Sequence, residues 1–202
     1  DPVFVVGYNR RFAPLSVRMK AFFSGTEEPF ALHYTMNAGY IPSSHWTQDS
    51  AIGGGRILGE ACHLVDFMIF LTGAMPVSVN ALALPDIGRY NEDNMSIQIK
   101  FSDGSVGTIS YLANGDKSCE KERCEAFSGG KIAILNDFRT LETWSDGHHE
   151  KITSTKMDKG HAESWEAFIK AIRGKGARPI PANEILSGAL CCFSAIKSVR
   201  EN

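Results

Sequence analysis

The sequence predicts an α+β fold: an open, mostly antiparallel β-sheet with helices packed on one face. Two observations predict it. Segments with a period of two run together through the middle of the chain, and helical spacing is gathered near the ends and in one central stretch, so strands and helices do not alternate.

The elements follow in order. Val3-Phe4-Val5-Val6-Gly7 is a continuous apolar run, the pattern of a strand buried on both faces, and is expected as the closing strand of a preceding domain. Residues 1–12 are therefore expected to be that strand and a junction, and 13–202 an α+β domain. Pro14 to Phe23 reads as a helix, with Pro14 in its first turn and Gly25 at its end. Phe30, Leu32, Tyr34 and Met36 alternate with Ala31, His33, Thr35 and Asn37, as a strand with one buried face requires. An irregular aromatic and polar stretch, Ala38 to Gly55, leads to a helix over Glu60 to Leu71, where Leu64, Phe67, Met68 and Leu71 share a face and Gly73 is the stop.

Strands are then expected over Val77 to Leu84, Met95 to Phe101, Ser105 to Ala113, Arg123 to Ser128, Lys131 to Leu135, Phe138 to Trp144 and Glu150 to Thr155. Ser102-Asp103-Gly104, Gly129-Gly130 and Asp146-Gly147 supply turns, so the reading is an antiparallel meander. His161 to Ile172 and Asn183 to Val199 close the chain as helices, the second with Asn183 as N-cap.

Composition narrows the function. The 202 residues are 43% hydrophobic and 22% charged, which fits a soluble globular protein rather than a disordered chain. A formal charge of -2 and a pI near 6.3 supply no field for a nucleic-acid backbone. No apolar run is long enough for a membrane helix, and the beginning lacks the layout of a signal peptide. Five cysteines, two of them adjacent at Cys191 and Cys192, make a poor disulfide framework; reduced thiols and a cytoplasmic location are expected, and the absence of a CxxC pair argues against a structural metal.

The chemistry-bearing cluster is Gly53-Gly54-Gly55 followed by Glu60, His63 and Asp66. Successive glycines let the backbone turn sharply, but Leu58 stands where a dinucleotide fingerprint needs its third glycine. Glu60 and His63, three apart, share a helical face, where a carboxylate can hold an imidazole near neutral pKa as a proton acceptor. On spacing alone, a helix-surface histidine with ordinary neighbours is the readier account.

Four ordered segments change that reading: Gly7-Tyr8-Asn9-Arg10-Arg11-Phe12, Asn37-Ala38-Gly39-Tyr40-Ile41-Pro42 with His45-Trp46, Gly53 to Asp66, and Gly160-His161 to Ile172. Here the sequence resembles the Gfo/Idh/MocA oxidoreductases. The resemblance implies the C-terminal substrate domain of an enzyme whose N-terminal Rossmann domain binds NAD or NADP. It implies His63 as the proton-transfer residue, with Glu60 as its tuner, and Arg10, Arg11, His45 and Trp46 toward a sugar, sugar-derivative or cyclitol substrate. It also implies a homo-oligomer built through the sheet, and a chain that alone neither binds nicotinamide tightly nor turns over substrate. One position departs. Many sugar and inositol dehydrogenases of the family carry Asp four residues before this histidine, where Gly59 stands here, and a carboxylate moved to Glu60 is turned by about 100 degrees around a helix. That departure leaves a second reading: a non-catalytic binding and assembly module.

Overall fold

The computed structural model describes residues 3–49 and 51–201. A 3-10 turn, Arg10–Phe12, leads into α1 (Pro14–Phe22), β1 (Ala31–Asn37) and a second 3-10 turn, Trp46–Gln48. A π-helical turn, Ile57–Ala61, runs directly into α2 (Cys62–Thr72). The strands β2 (Pro76–Ala83), β3 (Asn94–Phe101), β4 (Val106–Leu112), β5 (Glu122–Ser128), β6 (Lys131–Asn136), β7 (Thr140–Ser145) and β8 (His148–Thr153) follow, and then α3 (His161–Ile172) and α4 (Ala182–Glu201). The fold is the expected α+β class: one eight-stranded sheet in the order β2-β3-β4-β1-β5-β6-β7-β8.

The meander is interrupted. β1 enters between β4 and β5, parallel to β4 with Ala31 opposite Val106 and antiparallel to β5 with Leu32 opposite Ala126. The reason lies in side-chain phase: Leu32, Tyr34 and Met36 are buried on the same face as Ile109, Tyr111, Cys124 and Ala126, so a central position covers both flanks of an apolar row. This single parallel pair brings the ends of β1 and β4 and the start of β5 together at one end of the sheet.

Three helices cover that apolar face. α2 crosses the centre so closely that a Cβ on Gly107 would stand 2.6 Å from Met68 Sδ. Phe67, fully buried, meets Tyr34 edge-on at 5.6 Å, and burying such a side chain contributes about 2 to 3 kcal/mol. α4 packs on β2 and α2, pinned where Ser198 Oγ accepts from Ala81 N, and α1 lies over β6 and β7. The opposite face carries His33, Thr35, Ser96, Gln98 and Lys100 together with exposed Leu82, Leu84 and Val106, and no described element covers it.

Several local expectations shift. Val3 to Gly7 pairs with no strand among the described residues, and Phe4 is 61% exposed; the expected neighbours belong to the preceding domain. Residues 1 and 2 of the expected junction lie outside the described residues. β7 begins at Thr140 rather than Phe138 because Asp137 and Phe138 turn the chain at positive φ, with the Asp137 carboxylate accepting from Lys121 N and Glu122 N. Asn183 is inside α4, which starts at Ala182 behind Pro181. Gly73 ends α2 in the left-handed conformation, as its position predicts.

Candidate functional site

The triple glycine folds its own loop. Gly53 N and Gly54 N both donate to Asp49 O, Gly55 N donates to Thr47 O, and a Cβ on Gly53 would stand 2.4 Å from Thr47 Cα. Only glycine permits that approach. These amides are consumed within the chain, so they do not form a cradle for the pyrophosphate of a dinucleotide, and the residues present do not fit that part of the cofactor. His45 accepts from Thr47 N through Nδ1 and starts the Trp46–Gln48 turn; both His45 and Trp46 are exposed, Trp46 by 61%. They form a rim rather than part of the core.

The loop hands the chain to Arg56, which is buried beneath it. Its guanidinium donates to Gly39 O at 2.7 Å and Ala38 O at 3.4 Å, binds Glu60 Oε1 at 3.0 Å, and lies 3.6 Å from Asp93. Arg56 thereby ties the end of β1 to the π-helical turn, a local irregularity of the kind often found beside functional residues. Glu60 faces Arg56 on one side and Lys121, at 3.6 Å, on the other. Burial works against its charge, but the two cations hold its carboxyl below the ordinary value.

His63 sits in the first turn of α2, partly buried, with the Tyr8 ring edge-on at 5.5 Å. Its Nδ1 is withdrawn from solvent and has no hydrogen-bond partner among the described residues. The expected carboxylate bond is absent because Glu60 is held by Arg56 and Lys121. Nor is the imidazole near neutrality: burial first, and the Arg10 charge second, push it down to about 4, against the opposing pull of Glu122 and Glu60. At neutral pH it is an uncharged imidazole.

Arg10 and Arg11, expected toward the substrate, take part in interior ion pairs. Arg10 Nε and Nη2 clasp Glu122 at 2.7 and 2.9 Å, and Glu122 also accepts from Tyr34 OH at 2.8 Å and Lys159 Nζ at 2.6 Å. Burial alone would raise the Glu122 carboxyl; the Arg10 fork and Lys159 overcome it and hold it at about 2. Arg11 clasps Asp66 and reaches Glu184 Oε2 at 2.7 Å, joining the first residues to α2 and α4. Asp66 is thus an anchor of its helix. Beside this junction a cleft of about 270 Å³ is lined by Val5, Val6, Gly7, Asn9, His161, Ser164, Trp165 and Phe168.

Of the residues singled out in the sequence, Arg10 and Glu60 act on His63 through their charges, Arg11 is held by Asp66 and Glu184, and His45 and Trp46 lie on the exposed loop whose backbone Gly53 and Gly55 contact. Glu122, Lys159 and Arg56 were missed. Glu122 carried a readable signal: it has the same strand phase as Cys124, Ala126 and Ser128, and a carboxylate in a buried row demands a cation. His148 and His149 begin β8, where His149 stacks on Trp144 at 4.5 Å. Among the described residues no cluster of three or more His, Cys, Asp or Glu is arranged to hold a metal ion.

An open eight-stranded sheet covered on one face by helices, with a partly buried imidazole where the π-helical turn meets the central helix, is the architecture of the C-terminal domain of one oxidoreductase family. The family model for the GFO/IDH/MocA C-terminal domain matches residues 27–127, and the chain belongs to the Gfo/Idh/MocA family. No curated protein sequence matches it. Among solved structures it is similar to UDP-N-acetylglucosamine 3-dehydrogenase GnnA from Acidithiobacillus ferrooxidans, with TM-score 0.79 and 20% identity over 98% of this chain and 62% of that one. It is also similar to an aldose-aldose oxidoreductase from Caulobacter crescentus complexed with glycerol, with TM-score 0.80 and 16% identity over 96% and 61%. A levoglucosan dehydrogenase in complex with NADH and levoglucosan gives 0.77 and 18% over 98% and 64%. The chain thus spans less than two thirds of the length of each.

Proposed function

We propose that this chain is the substrate-binding domain of an NAD- or NADP-dependent oxidoreductase that oxidises a secondary alcohol of a sugar, sugar derivative or cyclitol. The observation that carries the reading is His63, a neutral imidazole with an orphaned buried nitrogen at the end of the sheet where β1, β4 and β5 converge. The nicotinamide, held by a separate nucleotide-binding domain that residues 1–12 join, supplies the hydride acceptor when bound. The residues of this chain orient the alcohol, and His63 takes the hydroxyl proton. Glu60 acts on His63 through its charge rather than through a hydrogen bond. His45 and Trp46 offer an aromatic rim for a sugar face, and Arg10 and Arg11 hold the junction in place. The sugar-acting names of the structural relatives support this substrate class. The chain is proposed to work in the cytoplasm as a homo-oligomer joined through the uncovered sheet face, where Leu82, Leu84 and Val106 are exposed.

Assay of the full-length protein against sugars and cyclitols with NAD and NADP tests the reading. Turnover of at least one such substrate, lost on replacing His63, is expected; no turnover of any with either cofactor contradicts it. A second reading rests on Gly59, whose lack of a carboxylate before His63 favours a domain that binds and assembles without catalysis. Substrate binding without turnover would select it.

A further inference from the structure

Two loops bring cations onto consecutive residues, Gly39 and Tyr40, just beyond β1. In the β2–β3 loop, Arg89 N and Tyr90 N both donate to Asp86 O, at 2.9 and 3.0 Å, and Asn91 Nδ2 donates to Gln48 O at 3.1 Å. This seat lays the Arg89 guanidinium 4.7 Å from the centre of the Tyr40 ring and 5.5 Å from that of Tyr90, the two rings standing edge-on at 6.1 Å. In the β4–β5 loop, Asn37 Nδ2 donates to Asp116 O at 2.6 Å. The stem of Lys117 then lies across Gly39, so closely that a Cβ there would stand 2.5 Å from Lys117 Cγ. Both cations are exposed, and neither has a carboxylate partner among the described residues. The acids nearest to them in the chain are engaged elsewhere. Asp86 accepts from Glu92 N, Glu92 pairs with Arg200, Asp93 is held by Gln48 and Arg56, and Asp116 accepts from Ser118 N. A guanidinium laid on aromatic rings keeps its N–H edge free, and that edge matches the oxygens of a phosphate or a carboxylate.

The patch adjoins the His63 site through direct contacts. Gly39 O accepts from Arg56, which also binds Glu60 and lies 3.6 Å from Asp93, in the loop that carries Arg89. From the loop that carries Lys117, Lys121 reaches Glu60 at 3.6 Å. Both loops are thereby tied to the π-helical turn, which leads straight into Cys62 and His63.

We propose that Arg89 and Lys117, laid over Tyr40 and Gly39, form a subsite for an anionic group of the substrate, a phosphate or carboxylate carried by the sugar. The identity of the ligand as a substrate rests on the proposed function; the binding of an anionic sugar does not. The test uses the full-length protein with reduced NAD or NADP, so that no oxidation intervenes, and isothermal titration calorimetry. The probes are neutral hexoses, their 6-phosphates, their uronates and their nucleoside diphosphate esters. At least one anionic form is expected to bind about 10- to 100-fold more tightly than its neutral hexose, the span of a charged hydrogen bond. Arg89→Gln and Lys117→Gln are each expected to reduce that preference severalfold and to leave the neutral hexose as it was, while Lys197→Gln, an exposed lysine on α4, changes neither. The anionic form that gains most identifies the source of the charge. Equal affinity for neutral and anionic sugars overturns the proposal, and so does a preference that survives either Arg89→Gln or Lys117→Gln. A preference that follows both residues, together with full turnover in His63→Ala, would uphold the subsite and refute the catalytic reading of His63. Turnover through His63 with no anionic preference would do the reverse.

Discussion

The Arg10 guanidinium and the Glu122 carboxylate meet through two hydrogen bonds, 2.7 and 2.9 Å long, with both side chains withdrawn from solvent. The pair joins the Arg10–Phe12 turn to the start of β5, 112 positions away.

Because the pair is buried, breaking it is costlier than its absence would be. Glu122→Ala leaves Arg10 and Lys159 as uncompensated cations, and a loss of about 3 to 5 kcal/mol is expected in denaturant unfolding. Tyr34→Phe removes a single donor to the same carboxylate and is expected to cost about 1 to 2 kcal/mol. Equal losses would show that Glu122 is held by packing rather than by charge.

Gly160 and Gly130 both have positive φ, but only Gly160 has backbone against its missing Cβ. Gly130→Ala is expected to cost about 1 kcal/mol, the ordinary penalty of that conformation. Gly160→Ala must in addition push the 9–13 turn aside, so a clearly larger loss is expected, with the signal of α3 changing first in hydrogen exchange. Equal melting temperatures for the two variants would contradict the flush seating of the turn.

Acid weakens the fold through two groups with the same sign. His63 is depressed from 6.5 to about 4, so the unfolded chain takes up a proton that the native state refuses, and this part of the stability is lost as pH falls from 6.5 through 4. Glu122 is depressed from 4.5 to about 2; its contribution is complete above 4.5 and lost as pH falls through 2. Asp66, whose carboxyl burial pushes up to about 6, acts in the opposite sense in the upper window, so the His63 contribution is read as the difference in denaturant midpoint between the parent and His63→Gln. That difference is expected to change between pH 6.5 and 4, and a constant difference would contradict the burial of the imidazole.

The strands and helices were legible because burial imposes a period. Leu32, Tyr34 and Met36 gave β1, and Leu64, Phe67, Met68 and Leu71 gave α2. The position of β1 between β4 and β5 was not legible, since alternation states which face is buried and not which neighbour supplies the ladder. The same limit applies to the site. His63 could be picked out by the resemblance, but its partners come from residues 10, 122 and 161, far apart in the chain. The carboxylates that clasp Arg10 and Arg11, Glu122 and Asp66, are likewise distant in the chain and were not legible beside the junction. Glu60 read as the partner of His63 because helical spacing was visible and the competing claim of Arg56, in the turn before it, was not.

The uncovered sheet face carries the proposed assembly. Replacing Leu82 and Val106 together by Lys places two charges where an apolar contact would close, and sedimentation is expected to show the oligomer of the full-length protein falling to monomer. An unchanged oligomer would move the interface to another surface.

The most direct test of the central claim is kcat/KM of the full-length protein with and without His63, on whichever sugar or cyclitol it oxidises best. His63→Ala is expected to lower it by about 100- to 10,000-fold, the span of a lost proton acceptor, while the folded state is retained in far-UV circular dichroism. A variant that turns over as fast as the parent would contradict the assignment of His63 and the function built upon it.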